Sequence, residues 1–147
     1  MPTTPAHDVI RIGQIEVQFR LDASQTGGAF TMFEFRVPPG ARVPVPHSHV
    51  AFDETVFGLG GVATFTVAGE TGTVGPGDVL FIPRGAVHGF ENCGTDLAHG
   101  LSVITPGLLG PAFFQEVGAI VNAGGPPDVA RIAQVMQRHG LRPVAPA

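Results

Sequence analysis

The chain has 147 residues, 44% of them hydrophobic, which suits one compact domain with a substantial core and leaves too little chain for two. A formal charge of -4 without a basic block gives no electrostatic footprint for nucleic acid or an anionic membrane surface. All eight basic residues are arginine, so no lysine can form a Schiff base with a carbonyl substrate or with pyridoxal phosphate.

Taken in chain order, the N-terminal MPTTPAHDVIR lacks the charged-then-apolar pattern of a secretory signal. No apolar run approaches the roughly 20 residues of a membrane span, and a cytoplasmic protein is the expectation. Runs rich in Val, Ile, Phe and Thr follow at residues 10–19, 30–37, 55–59, 62–67, 79–82, 87–90 and 97–104. Their spacing predicts a mostly β fold, a sandwich or barrel. The stretch from Thr66 to Val74 reads as a hairpin, with Gly69 and Gly72 available for positive φ in its turn. Cys93 is the single cysteine, which excludes an intramolecular disulfide and cysteine-based zinc sites and reads as a reduced, partly buried thiol. Residues 111–121 and 128–139, joined by GlyGlyProPro at 124–127, carry apolar side chains at helical spacing, with Asp128 as N-cap and Gly140 as a stop. One domain over 1–147 is expected, with a barrel core at about 28–105 and a helical tail at about 110–140.

Within this frame, VPHSHVAFDE at 45–54 places His47 and His49 one residue apart, so on an extended strand they project to the same side. Pro44 and Pro46 donate no ladder hydrogen bonds, and the segment is expected at an edge or rim. Two same-side imidazoles are a candidate chelate; two solvated histidines are the plain alternative. In GDVLFIPRGAVHGFEN at 77–92, a buried strand and a rigid Pro83-Arg84-Gly85 reversal bring His88 to the start of the next strand. There it is either a third ligand or a hydrogen-bonded core histidine.

Together the segments read Gly40, His47, His49, Glu54 and Gly61, then Gly77, Pro83, Gly85, His88 and Asn92. This resembles the paired motifs of the cupin superfamily over about residues 30–105; the one departure is that six residues, where the family pattern has five, separate Gly40 from His47. The resemblance implies a small antiparallel β-barrel of jelly-roll (double-stranded β-helix) type, with His47, His49, Glu54 and His88 around one metal. Such a nitrogen and oxygen donor set suits a divalent transition metal: Fe, Mn, Ni, Co, Cu or Zn. Asp53 is a second carboxylate within the allowed spacing; Glu54 is preferred because Gly61 falls at the motif distance from it.

The chain has 11 Phe and neither Trp nor Tyr, so a cupin with a Cys-Tyr crosslink cannot be built from it. Most of the phenylalanines are read as core; Phe33, Phe35, Phe52, Phe57 and Phe90, with His99, are candidates to line a substrate pocket. The motifs and the TPGLLGPAFFQEVG segment resemble quercetin-dioxygenase-like cupins, which implies a metal-dependent dioxygenase. It would act on a small enolisable or aromatic, flavonol-like molecule with dioxygen, Glu54 serving as ligand and catalytic base. A non-oxidative isomerase or decarboxylase and a small-molecule-binding sensor are the alternatives. Arg84 reads as solvated, and Asn92 as completing backbone hydrogen bonds. A homodimer is expected, by sheet extension or exchange of the 10–19 run.

Overall fold

The computed structural model describes residues 2–144. In order, the elements are β1 (Ile10–Ile12), β2 (Ile15–Leu21), α1 (Ala23–Thr26), β3 (Thr31–Val37), β4 (His47–His49) and β5 (Asp53–Gly60). They continue as β6 (Ala63–Val67), β7 (Glu70–Val74), β8 (Val79–Ile82), β9 (His88–Glu91), β10 (Ala98–Thr105), α2 (Pro111–Val121), α3 (Val129–Arg138) and β11 (Leu141–Pro143).

Alternation of side chains builds the layers. On β3, Phe33, Phe35 and Val37 turn inward; on β10, Ala98, Gly100, Ser102 and Ile104 do the same, and each set is buried. Six strands form one antiparallel sheet in the order β1-β2-β3-β10-β5-β8, and five form a second in the order β11-β4-β9-β6-β7. The two do not close into a continuous ring of ladders, so the fold is a double-sheet jelly roll and not a sealed barrel. Their inner side chains merge into one hydrophobic core. Neighbouring phenylalanine rings, such as Phe19–Phe33 at 5.1 Å and Phe65–Phe90 at 5.3 Å, add about 0.5–1.5 kcal/mol per pair beyond area burial.

Two glycines permit the close approaches that this packing needs. A Cβ on Gly61, which sits at φ 59°, would lie 2.1 Å from the carbonyl oxygen of Leu97, and one on Gly100 would lie 2.3 Å from the Phe35 ring. Beyond β10, α2 sets Phe113 and Val117 inward and α3 sets Ile132, Val135 and Met136 inward. Asp128 caps α3 by accepting from the Arg131 amide, and Gly140 ends it at φ 82°. None of the described helices is long and apolar enough to cross a membrane.

The structure corrects several expectations. The 10–19 run is split by a turn at Gly13 into β1 and β2, which pair with each other, and α2 packs on β1. The strand β4 is not an edge: β11 pairs with it on one side and β9 on the other, because the prolines lie before the short stretch that is paired on both sides. The hairpin turn uses Ala68 at φ 50° and Gly69 at φ 84°, while Gly72 is a strand residue. Cys93 is exposed.

Candidate metal centre

Strand β4 carries His47 and His49, β9 opens with His88, and the opposite sheet supplies Glu54 from β5. The local chain fixes these positions. The Pro83-Arg84-Gly85 reversal, with Gly85 at φ 84°, donates the Gly85 amide to the His49 carbonyl at 2.8 Å, tying the strand of the first two imidazoles to the loop before the third. Asp53 accepts from the Arg84 amide at 2.8 Å and pairs with its guanidinium at 3.0 Å. Strand alternation therefore sends Asp53 out to the turn and its neighbour Glu54 in to the histidines.

One ring nitrogen from each of His47, His49 and His88 lies within 4.8 Å of the others. Glu54 Oε1 lies 3.9 Å from His49 Nε2 and 3.8 Å from His88 Nε2. These spans are too long for hydrogen bonds, so the donors converge without satisfying one another. The Ser102 hydroxyl donates to Glu54 Oε2 at 2.8 Å and leaves Oε1 facing the histidines. His47 Nδ1 lies 3.0 Å from the Val45 carbonyl and His88 Nδ1 3.0 Å from that of Ala86. A carbonyl only accepts, so each Nδ1 carries the proton and each Nε2 keeps its lone pair. His49 stacks on Phe52 with ring centroids 4.4 Å apart, and its buried Nδ1 has no hydrogen-bond partner.

Burial, followed by the neighbouring His88, depresses His47 to a pKa of about 4. The same causes, with His47 added, take His49 to about 2. Both are neutral at pH 7. Burial raises the Glu54 pKa, against the opposing pull of His88 and Ser102. Neutral His47 and His49, the Nε2 atoms left free on His47 and His88 by their carbonyl partners, and the nearby Glu54 carboxylate make a donor set that fits a divalent transition metal.

The site opens on an apolar cavity of about 80 Å³ whose walls include Phe33, Phe35, Phe65, Phe90, Phe113 and Phe114. A larger groove of about 850 Å³ shares Ile12, Ile15, Val43, Pro44, His88 and Phe90 with it. Of the residues expected at a substrate pocket, Phe33, Phe35 and Phe90 line the cavity, and Phe52 lies under His49 without facing it. Phe57 and His99 do not reach the interior. Phe57 is exposed on the outer face of β5, and His99 turns outward on β10 to meet Glu34 at 2.8 Å, because the in-facing positions of β10 are the even ones. Sequence reasoning missed Ser102, Phe65, Phe113, Phe114 and Met136. Ser102 was recoverable from its phase with Gly100 and Ile104; the helix side chains needed the packing of α2 and α3. Asn92 donates to the Val37 and Asp96 carbonyls and accepts from Gly94, tying loops at the base of the fold.

Residues 33–104 match the family model described as a cupin domain. No curated protein matches the sequence. Among solved structures, a predicted oxalate decarboxylase of Thermotoga maritima is 28% identical with a TM-score of 0.59, over 64% of this chain and 82% of that one. The polyketide cyclase RemF of Streptomyces resistomycificus is 29% identical with a TM-score of 0.56, over 63% of this chain and 65% of that one. A cupin-superfamily sugar phosphate isomerase of Silicibacter pomeroyi is 26% identical with a TM-score of 0.52, over 60% and 59%. With its paired histidine motifs gathered between two jelly-roll sheets, the chain is similar to cupin domains over residues 33–104.

Proposed function

We propose that this protein is a divalent-metal enzyme that takes a proton from a small enolisable or hydroxylated aromatic molecule, flavonol-like in character, and that the reaction is a dioxygenation. The observation that carries the reading is the placement of Glu54: a buried carboxylate within 4 Å of two imidazole nitrogens, held by Ser102 at the floor of a phenylalanine-walled cavity.

His47, His49, His88 and Glu54 would hold the metal, which as a Lewis acid polarises a substrate oxygen and makes its hydroxyl easier to deprotonate. The remaining work falls to the chain. Glu54 Oε1 receives the proton while Ser102 fixes the other oxygen, and burial raises the basicity of the carboxylate. The cavity is small beside the adjoining groove, so it takes the reacting group while the body of the substrate lies in the groove. The phenylalanine walls keep bulk water from the enolate and suit apolar dioxygen. A non-oxidative decarboxylation, isomerisation or cyclisation uses the same proton transfer, and the printed names of the structures at 26–29% identity favour it as the second reading.

The test combines metal analysis of freshly purified protein with oxygen uptake on flavonols and other enolisable compounds. Glu54→Gln is expected to retain much of the metal and to lose about 10²–10⁴ in turnover. Near-full oxygen consumption by that variant would remove Glu54 as the base, and product formed without oxygen uptake would assign the second reading.

A further inference from the structure

Apart from His88, the groove beside the metal centre has two titratable side chains, Arg42 and Glu91; the rest of its wall is apolar or neutral, with Val43, Phe90 and Val121 in it. Arg42 and Glu91 face each other across an isolated antiparallel bridge. The Val43 amide donates to the Phe90 carbonyl at 3.0 Å and the Asn92 amide to the Ala41 carbonyl at 2.9 Å. Gly40, at φ 81°, donates to the Asn92 carbonyl at 2.9 Å and closes this short ladder. Arg42 is thereby fixed in register with β9, the strand that opens with His88. Glu91 lies three residues beyond His88, so at about 3.3 Å per residue the backbone of Arg42 stands roughly 10 Å from that of the third histidine.

Most arginines of the chain already hold a carboxylate. Arg11 meets Glu16, Arg20 and Arg36 meet Glu34, Arg84 meets Asp53 and Arg138 meets Glu116. Arg42 has no such partner among the described residues, even though Glu91 is its neighbour across the bridge, and of the unpaired arginines it alone lines the groove. An unengaged guanidinium offers a planar fork of N–H donors that matches the two oxygens of a carboxylate. Its backbone is held by the ladder, so the fork is anchored at a set distance from the metal centre, with an apolar wall between the two that suits aromatic rings.

We infer that Arg42 is the specificity-determining residue of the groove: it receives a carboxylate carried by the substrate while the substrate hydroxyl reaches Glu54. Resting on the proposed reading of the metal centre, this assignment narrows the substrate class to hydroxylated aromatic acids of two rings, whose hydroxyl oxygen and carboxylate stand about 10 Å apart. Glu91 sets the charge that the groove accepts. A carboxylate brings one negative charge to Arg42, whereas a phosphate monoester brings close to two and sets the excess beside the Glu91 carboxylate.

Binding without turnover tests it, by calorimetry on the metal-loaded full chain under argon. The probes are 4′-hydroxybiphenyl-4-carboxylate, its neutral carboxamide and the corresponding aryl phosphate. The carboxylate is expected to bind about tenfold more tightly than the carboxamide, the scale of one charge-assisted contact at a partly exposed site. Arg42→Gln should bring these two probes to within about twofold of each other, with the thermal melt unchanged because the side chain is exposed. Arg42→Lys should keep part of the preference, since it restores the charge without the fork. Glu91→Gln should help the phosphate more than the carboxylate. Equal affinity of the parent for carboxylate and carboxamide, a preference that survives Arg42→Gln, tighter binding of the phosphate by the parent, or no binding of the carboxylate at about 1 mM would each overturn the inference. Failure of the proposed chemistry is a separate result: it shows as undiminished turnover in Glu54→Gln and leaves the ranking of the probes as it was.

Discussion

Asp53 and Glu54 are adjacent carboxylates with opposite surroundings. The first sits at the surface, where hydrogen bonds from Arg84 hold its pKa below the ordinary value; the second is buried beside the histidines, where desolvation pushes it up. Strand alternation alone separates them. The imidazoles make a pH prediction for the metal-stripped protein. Folding depresses His47 from 6.5 to about 4 and His49 to about 2, so the fold favours their neutral forms. Their contribution to stability is complete above pH 6.5 and is lost as pH falls from 6.5 towards 4. Glu54, raised by burial, has the opposite sign: its contribution is lost as pH rises through its folded value. Thermal melts of metal-free Glu54→Gln protein, which lacks the opposing carboxylate, should therefore show Tm declining between pH 6.5 and 4; a flat curve there would mean that neither imidazole is held neutral. The spacing of His47, His49, Glu54 and His88 could be read from the sequence because each motif fixes which side chain follows which turn. Phe57 and His99 were misplaced although the same alternation was available, since Phe57 is out of phase with Glu54 on β5 and His99 with Ser102 on β10.

At the scale of elements, Gly61 and Gly69 separate two demands that a sequence presents identically. Both have positive φ, but a Cβ on Gly61 would meet the Leu97 backbone at 2.1 Å, while around Gly69 there is nothing within 4 Å. Gly69→Ala should cost about 1–2 kcal/mol, the strain of the left-handed region. Gly61→Ala must also push backbone apart and should cost roughly 3 kcal/mol or more. Urea denaturation of both variants checks the contrast, and equal losses would refute the role of the close approach. The main strands were legible from runs such as residues 30–37 and 97–104, which gather Phe, Val, Ile, Leu and Thr between turn residues. The β6–β7 hairpin was legible from its glycines, although β7, ETGTV, is polar and nearly all exposed; β11, LRP, and α1, a single capped turn, were not, because a tertiary partner or a local hydrogen bond holds each and not an apolar pattern.

For the whole molecule, the decisive fact is that His47, His49 and His88 belong to one sheet and Glu54 to the other. A metal bound by all four would be a crosslink between two layers whose inner side chains otherwise meet in an apolar core. Added divalent metal should raise Tm, by about 2.7 kcal/mol of stability at a free concentration 100 times its dissociation constant. His88→Ala should abolish that rise together with activity, which calorimetry with and without metal would test. The layering itself was legible from the motifs, but the missing closure between the sheets was not, because no single segment encodes which edges meet.

The pairing of β4 with β11 orders assembly in time. A ribosome delivers His47 and His49 first, then His88, and only after most of the chain has emerged the stretch from Gly140 to Val144. That stretch bonds to β4 through the Val50 amide on the Gly140 carbonyl and the Val144 amide on the Pro46 carbonyl, both at 2.9 Å. Until then one side of the histidine strand is an open row of backbone donors and acceptors. The nascent chain thus holds all four candidate ligands before it holds the strand that braces two of them, and the geometry of the site is completed only after His88, the last of them, has been translated.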